Sequence, residues 1–341
     1  MFRLEHGARV SSAGHTRLIC GITYREVYIP MDLLQRYAGN PLLSAKDIPY
    51  PSNTIFNAGV TTFRDETLLL LRIEDRRGYS HLTVATSKDG VTGWTVRDTP
   101  FMTPGHPDYP YEAFGVEDPR ITYVPETGDY LITYTAYSFL GAGVALAKTR
   151  DFETVERLGL IFPPNNKDAC VFPRKINGEW VMLHRPVSGD AEHMWLAYSP
   201  DLTHWGHHRY VLLEASGPRW DAARIGAGSV PIETDEGWLI LFHGVKYLAG
   251  SPIYRAGAAL LDRDHPSRVI ARLPYWILSP SEPYETQGDA PNVVFPSGCV
   301  AHGDELYIYY GAADSYVCLA TASIKGLVEA LLRDGIPPLF C

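Results

Sequence analysis

The apolar residues of this chain fall in short runs, rich in β-branched and aromatic types and separated by Gly, Asp and Asn, which favours strand over helix. Five times an apolar run is followed, after a polar loop, by a second run and a turn: TLLLLRIED with HLTVATSKDGVTGW, DYLITYTAYS with GVALAKTRDFETVE, EWVMLHRP with MWLAYSPDLTHW, GWLILFHGV with YRAGAALLDRDHPSRVI, and ELYIYYGAAD with YVCLATASI. The first runs begin near Thr67, Asp129, Glu179, Gly237 and Glu305. Their intervals of roughly fifty to seventy residues suit a four-stranded propeller blade with its loops. A shorter strand candidate precedes each unit: FNAGVTTF, VEDPRITYV, DACVFPRKI, AGSVPIET and NVVFPSGCV. The pattern predicts an all-β chain, a five-bladed β-propeller with short helical N- and C-terminal extensions. Helical periodicity is confined to PMDLLQRYAG near Met31 and IKGLVEALLRDG near the C-terminus, the latter stopped by Gly335 and Pro337. A β-sandwich is the structural alternative, but it leaves a fivefold unit of this length unexplained. The expected organisation is one domain over residues 1–341, with an extension over 1–50 and a C-terminal helix and tail over 323–341.

Composition narrows the function. At 341 residues, 45% hydrophobic and 20% charged, the chain can bury a sizeable core, and disorder is not expected. A net charge of −9 without a long basic run argues against nucleic acid or an anionic membrane as partner. The N-terminus MFRLEHGARVSSAGHTRLICG has no apolar stretch of signal-peptide length, and nowhere do ~18 apolar residues run together. A cytoplasmic location is the expectation. The five cysteines, Cys20, Cys170, Cys299, Cys318 and Cys341, are far apart without CxxC spacing, and read as reduced thiols.

Residues 114–120, FGVEDPR, place Glu117 and Asp118 ahead of a proline and a core strand. Taken locally this is a turn, with Pro119 fixing φ. The repeat changes that. If the short leading strand is the innermost of each unit, its starting end and the finishing end of the next strand lie on one face, because antiparallel neighbours reverse direction. The residues at those ends are Asn57; Arg72, Glu74 and Asp75; Glu117 and Asp118; Lys167 and Asp168; His184 and Arg185; His243; Asn292; and Tyr310 with Asp314. Ionisable and amide side chains at equivalent ends of five units point to a shared site.

Carboxylates, amides and aromatics suit a sugar, with Tyr111, Tyr134 or Trp220 available to pack on a ring face. Lys167, Arg185 and His243 add more positive groups than a neutral glycan needs, and would suit an inorganic phosphate that attacks the anomeric carbon in place of water.

The strings FNAGV, LLRIEDRRGYSHLTVATSKDG, FGVEDPRITY, NKDACVFPRKINGEWVMLHRP, GWLILFHGV and NVVFPSG with IYYGAAD resemble the β-mannoside phosphorylases of glycoside hydrolase family 130, from about Asn57 to the C-terminus. The resemblance implies reversible phosphorolysis of a β-linked mannoside, β-1,2 or β-1,4, releasing α-mannose 1-phosphate with inversion. It implies no cofactor, inorganic phosphate being the co-substrate. Carried over residue by residue, Asp118 is the single catalytic acid, acting on the leaving oxygen through a hydroxyl of the bound mannose; Asn57, Arg72, Glu117 and Asp314 hold the sugar; and Lys167, Arg185, His243 and Tyr254 bind phosphate. Some members have arginine then asparagine where this chain has Lys167 and Asp168, and lysine is a point charge, not a bidentate fork. The first fifty residues, with TYREVYIPMDLL, are less distinctive and stay open as an oligomer contact or part of the acceptor site.

Phosphate arrives already nucleophilic and needs positive groups beside Asp118, whereas inverting hydrolysis needs a base for water; the cationic set therefore favours the phosphorylase. A β-mannoside hydrolase of the same fold and a non-catalytic sugar-binding propeller are the alternatives. His204, His207 and His208 lack metal-site spacing and read as an inter-strand turn, the glycines of LGAGVALAKT as a blade turn, and Glu282 and Glu285 of SEPYE as loop residues near the site.

Overall fold

Apolar runs such as Leu68–Leu71 are buried at every position and not at alternate ones, which requires a sheet covered on both faces. The computed structural model shows how. It describes residues 18–19, 22–23, 33–187, 189, 191–213, 215 and 217–337, and the chain divides into two compact units, residues 1–31 and 32–341. In the first, β1 (Leu18–Ile19) and β2 (Ile22–Thr23) form an antiparallel pair.

After β3 (Gln35–Arg36) and β4 (Leu43–Ser44), the chain runs through antiparallel meanders. The first holds β5 (Thr54–Phe63), β6 (Glu66–Glu74), β7 (Ser80–Ser87) and β8 (Thr95–Val96). The second holds β9 (Gly115–Val124), β10 (Asp129–Ser138), β11 (Gly141–Thr149) and β12 (Glu156–Phe162). The third holds β13 (Asn166–Val171), β14 (Trp180–Pro186), β15 (Met194–Ser199) and β16 (Gly206–Leu213). The fourth has β17 (Arg224–Ala227) and β18 (Ile232–Thr234) both paired to β19 (Gly237–Leu248), then β20 (Ser251–Leu261) and β21 (Val269–Arg272). The fifth holds β22 (Val294–His302), β23 (Glu305–Ala312) and β24 (Tyr316–Ser323), and its outer edge is completed by β3 and β4 from the chain's beginning. One parallel pairing, Ser80 with Gly115, joins the first two meanders into a single sheet.

Five buried clusters lie between these units. Leu68 and Leu70 face Ile121 and Ile132 of the second meander, while Leu69 and Leu71 point the other way, to Tyr309 and Leu319 of the fifth. In the same manner Leu131 packs with Val171 and Met182, Leu183 with Ile240, and Leu241 with Ile308. The leading strands follow one another as neighbours, β5 against β9, β9 against β13, β13 against β17, and β22 against β5. Each strand thus uses its period-two faces for two different interfaces.

The C-terminal helix forms as the pattern predicts: α2 (Ile324–Asp334), after α1 (Pro283–Thr286), is capped by the Ser323 hydroxyl accepting from Gly326 N and ends at Gly335. The helix expected near Met31 does not appear in its described part. Residues 30–32 lie outside the described residues, and Gln35–Arg36 is a strand on the edge of β24, where pairing satisfies an otherwise open sheet edge that a helix would leave exposed. Part of the expected 1–50 extension is therefore integral to the fifth sheet. Glu285 is not a site residue but its anchor: fully buried, it takes Arg36 Nε at 2.9 Å and Nη2 at 3.0 Å, the Tyr310 hydroxyl at 2.9 Å, and the amides of Ser281 and Glu282. Cys170, Cys299 and Cys318 are free thiols, and Cys20 and Cys341 lie outside the described residues. No described helix is long and apolar enough to cross a membrane.

Removing one partner of a buried charged pair costs about 3 kcal/mol or more. Glu285→Ala should therefore lower the denaturant midpoint markedly and detach β3 from β24, seen as fast amide exchange over residues 35–44. An unchanged midpoint would show that another contact holds this edge.

Candidate active site

Three leading strands carry the same irregularity. In β5 the register passes from Phe56 opposite Arg72 to Gly59 opposite Leu70; in β9 from Glu117 opposite Thr135 to Arg120 opposite Thr133; in β13 from Lys167 opposite Arg185 to Cys170 opposite Leu183. Each is a bulge in which two residues face one. The first bulged residue is Asn57, Asp118 or Asp168, with φ of 46°, 47° and 53°. Asn and Asp tolerate this left-handed region better than other non-glycine residues, and the bulge re-aims each side chain from the inter-sheet core toward one end of the strands.

There the side chains line a cleft of about 600 Å³. It brings together all nine predicted site residues, Asn57, Arg72, Glu117, Asp118, Lys167, Arg185, His243, Tyr254 and Asp314. Of the other strand-end residues, Asp168 lines it too, whereas Glu74, Asp75, His184, Asn292 and Tyr310 do not: the Asp75 carboxylate takes Arg77 in its own turn, His184 packs against Phe162 on the opposite face of β14, and Tyr310 turns to Glu285.

On one side of the cleft Arg72 and Asn57 converge on Asp118. Arg72 Nη1 donates to Asp118 Oδ1 at 2.8 Å, Asn57 Nδ2 donates to the same oxygen at 3.0 Å, and Arg72 Nη2 lies 3.3 Å from Glu117 Oε1. Arg72 is held in turn by Ser80 Oγ and by the Phe56 ring beneath it. Burial would raise the Asp118 carboxyl, but Arg72, Arg120 and Lys167 outweigh it and keep the group below the usual carboxylate range. Asp314 behaves oppositely: burial, only partly offset by Arg72 and reinforced by Asp118 and Glu74, pushes it up to about 6. Asn57 Oδ1 is buried without a hydrogen bond, and Gly311 is required beside it because a Cβ there would collide with that oxygen.

The other side is a network of opposite charges. Arg185 Nε donates to Asp168 Oδ2 at 2.6 Å, and Arg185 Nη1 pairs with Glu192. Glu192 also lies 3.2 Å from Arg224 Nε, and Arg224 donates to the Tyr254 hydroxyl at 3.0 Å. His243 Nε2 is 3.4 Å from Asp168 Oδ2. Burial would raise Asp168, yet Arg185, with Arg120 behind it, holds it far below the ordinary range. His243 is not the cation that the sequence suggested: burial lowers it to about 4 despite Asp168, so it enters the site as neutral imidazole, with Nδ1 unpartnered. Lys167 forms no ion pair among the described residues. Gly226 is needed here, since a Cβ would strike both Asp168 and His243.

Three participants went unnoticed in the sequence. Arg120, 1% exposed, donates to the carbonyls of Asp118, Ala227 and Gly228, tying β9 to the fourth meander across the site. Its adjacency to Asp118 was the available signal. Glu192 and Arg224 meet through a bridge between their backbones, for which no local motif exists. The predicted aromatic faces are also replaced. Tyr134 is buried on Glu112 and Trp220 on Phe242, and Tyr111 does not reach the cleft; Phe56, Phe295 and Tyr254 line it instead. Among the described residues no group of three or more His, Cys, Asp or Glu is placed to hold a metal ion.

The cleft joins a carboxylate pocket to a basic one, an arrangement suited to holding a polyhydroxylated ligand beside an anion. The chain belongs to glycoside hydrolase family 130: the family model described as beta-1,4-mannooligosaccharide phosphorylase matches residues 30–333. The chain is similar to the beta-1,2-mannobiose phosphorylase of Listeria innocua serovar 6a, 35% identical over 87% of this chain and 98% of the relative. It is also similar to the beta-1,4-mannooligosaccharide phosphorylase of Ruminococcus albus, 34% identical over 87% and 90%. The solved structure of the Listeria innocua enzyme with beta-1,2-mannobiose superposes with a TM-score of 0.80 at 33% identity, covering 88% of this chain and 99% of that one.

Asp314 predicts a pH dependence of binding in the cleft. Below about 6 its carboxyl is protonated and accepts fewer hydrogen bonds from a hydroxyl-bearing ligand. Mannoside affinity should rise through pH 6 and then level off, and Asp314→Asn should flatten this limb. An unchanged limb in the variant would assign it elsewhere.

Proposed function

We propose that this protein is an inverting phosphorylase of β-1,2- or β-1,4-linked mannosides, which transfers a mannosyl unit to inorganic phosphate and releases α-mannose 1-phosphate and a shortened acceptor. The observation that carries this reading is that one cleft holds both the Asp118 pocket and Lys167, which forms no ion pair among the described residues, beside buried Arg185. A glycosidase acting with water has no need of the second group. The five clusters between successive meanders, the last joining the fifth to the first, support a five-bladed propeller as the scaffold.

In this reading Asn57, Arg72, Glu117 and Asp314 position the mannose, and Lys167, Arg185, His243 and Tyr254 hold the phosphate against the anomeric face opposite the leaving oxygen. Asp118 is ionised among its cationic neighbours, so something must equip it to hold a proton. An anion beside Lys167 offsets the cationic pull on Asp118 and raises its carboxyl. Phosphate binding thereby prepares the acid. Asp118 then supplies a proton to the leaving oxygen through a hydroxyl of the mannose as the C1–O bond breaks and a phosphate oxygen bonds to C1. The proton carried in on phosphate is available to restore Asp118.

Asp118→Asn keeps size and the left-handed backbone but supplies no proton, so turnover should fall by at least ~100-fold with the fold intact; a folded variant with near-normal turnover would remove the assignment. Loss of one charge-assisted contact costs about 1.5–3 kcal/mol. Arg185→Ala should accordingly raise the phosphate KM at least tenfold, by about 1.4 kcal/mol per factor of ten, with mannoside binding much less affected. The wild-type enzyme should consume β-mannosides only with phosphate present. Free mannose released at full rate in phosphate-free buffer would identify a hydrolase.

A further inference from the structure

Resting on the phosphorylase reading, we propose that Asp168 is a specificity residue of the anion pocket: its carboxylate accepts a hydrogen bond from a protonated oxygen of phosphate, so that the pocket admits phosphate and rejects sulfate.

A site evolved only to attract an anion has no use for a carboxylate in its wall. Here Asp168 stands in the cleft, 4% exposed, at the top of the β13 bulge that aims it there. Its Oδ2 is occupied by Arg185 Nε and faces His243 Nε2, while its Oδ1 has no hydrogen-bond partner among the described residues. Orientation of Arg185 does not explain it, because Glu192 already grips the same guanidinium from the other end.

The groups that face Asp168 fix its protonation. Arg185 comes from β14, Arg120 from β9, His243 from β19 and Lys167 from its own strand, with Glu192, Arg224 and Tyr254 behind Arg185. Two guanidinium groups on Asp168 hold it ionised, so it only accepts. Of the groups that line or underlie the pocket, Lys167, Arg185, Arg224 and Arg120 are cations, Asp168, Glu192 and the adjoining Asp118 are anions, and His243 is neutral. Four positive charges against three negative ones leave one net positive charge. That is a weak field for a fully deprotonated dianion, and Asp168 Oδ1 would repel an oxygen that carries no proton. Phosphate brings a P–OH at neutral pH and converts the repulsion into a charge-assisted bond. Sulfate, of the same shape, brings none. Sites that require a donor on the ligand reject analogues lacking it by large factors, because a buried acceptor is then left unpaired.

The test is binding of inorganic phosphate and of sulfate, at matched ionic strength, to wild type and to Asp168→Asn. Affinity is read by thermal-shift titration and by sulfate inhibition of phosphate-dependent mannoside cleavage. Asparagine tolerates the same backbone and can donate through its amide. Wild type should bind sulfate on the order of 100-fold more weakly than phosphate. In the variant sulfate should bind at least about tenfold more tightly than in wild type, narrowing the ratio. Wild type binding both anions equally would overturn the proposal even if the variant failed to fold, and so would a variant that kept the wild-type ratio. If mannoside cleavage needs phosphate while sulfate competes on equal terms, only the role of Asp168 falls. Phosphate-independent cleavage with no response to either anion would overturn the phosphorylase reading and this inference together.

Discussion

Three leading strands each carry one extra residue, and the placement of the chemistry follows from it. A regular strand sends alternate side chains into the two inter-sheet interfaces, where a carboxylate would be stranded among Leu, Ile and Val. The bulges at Asn57, Asp118 and Asp168 break that period at one point and turn the side chain toward the strand ends. Holding a non-glycine residue at positive φ costs of order 1 kcal/mol or more at each site. Short polar side chains with nearby hydrogen-bond partners lessen that cost, and here Asn57 bonds Asp118, Arg72 bonds Asp118 and Arg185 bonds Asp168. Strain and function occupy the same residues.

Charge balance is the second constraint. Five of the site's ionisable groups, Glu117, Asp118, Asp168, Arg185 and His243, are at most 9% exposed, and a buried charge is tolerated only when it is paired. Arg120 does this from beneath, joining the backbone of Asp118 to the carbonyls of Ala227 and Gly228. It holds the acid in place and lowers its carboxyl. His243 takes the other course and sheds its charge. The result is a pocket whose free positive charge is concentrated on Lys167, where a mobile anion can reach it.

Closure of the fifth sheet shows the same economy of partners. Its outer edge is supplied by β3 and β4, and Glu285 locks Arg36 of β3 to α1 and to Tyr310. A residue near the site in sequence thus serves the frame of the molecule, although SEPYE reads like a site loop. The same string in isolation offers no means of telling a capping carboxylate from a ligand.

Much of this was legible in the residues themselves. The five repeated pairs of apolar runs specify the meanders because each strand must be apolar on both faces, and the ionisable and amide residues at equivalent strand ends mark a shared site. The C-terminal helix follows from its periodicity and its glycine stop. The sequence could not determine that Gln35–Arg36 would be a strand, because the decisive partner, the edge of β24, lies toward the far end of the chain. Nor could it determine that Glu192 and Arg224 would join Arg185, that Tyr134 and Trp220 would turn into the core, or that His243 would be neutral. Strand identity is decided by neighbours along the chain, which the sequence displays, whereas burial, pairing and protonation are decided by neighbours in space, which only the assembled sheets supply.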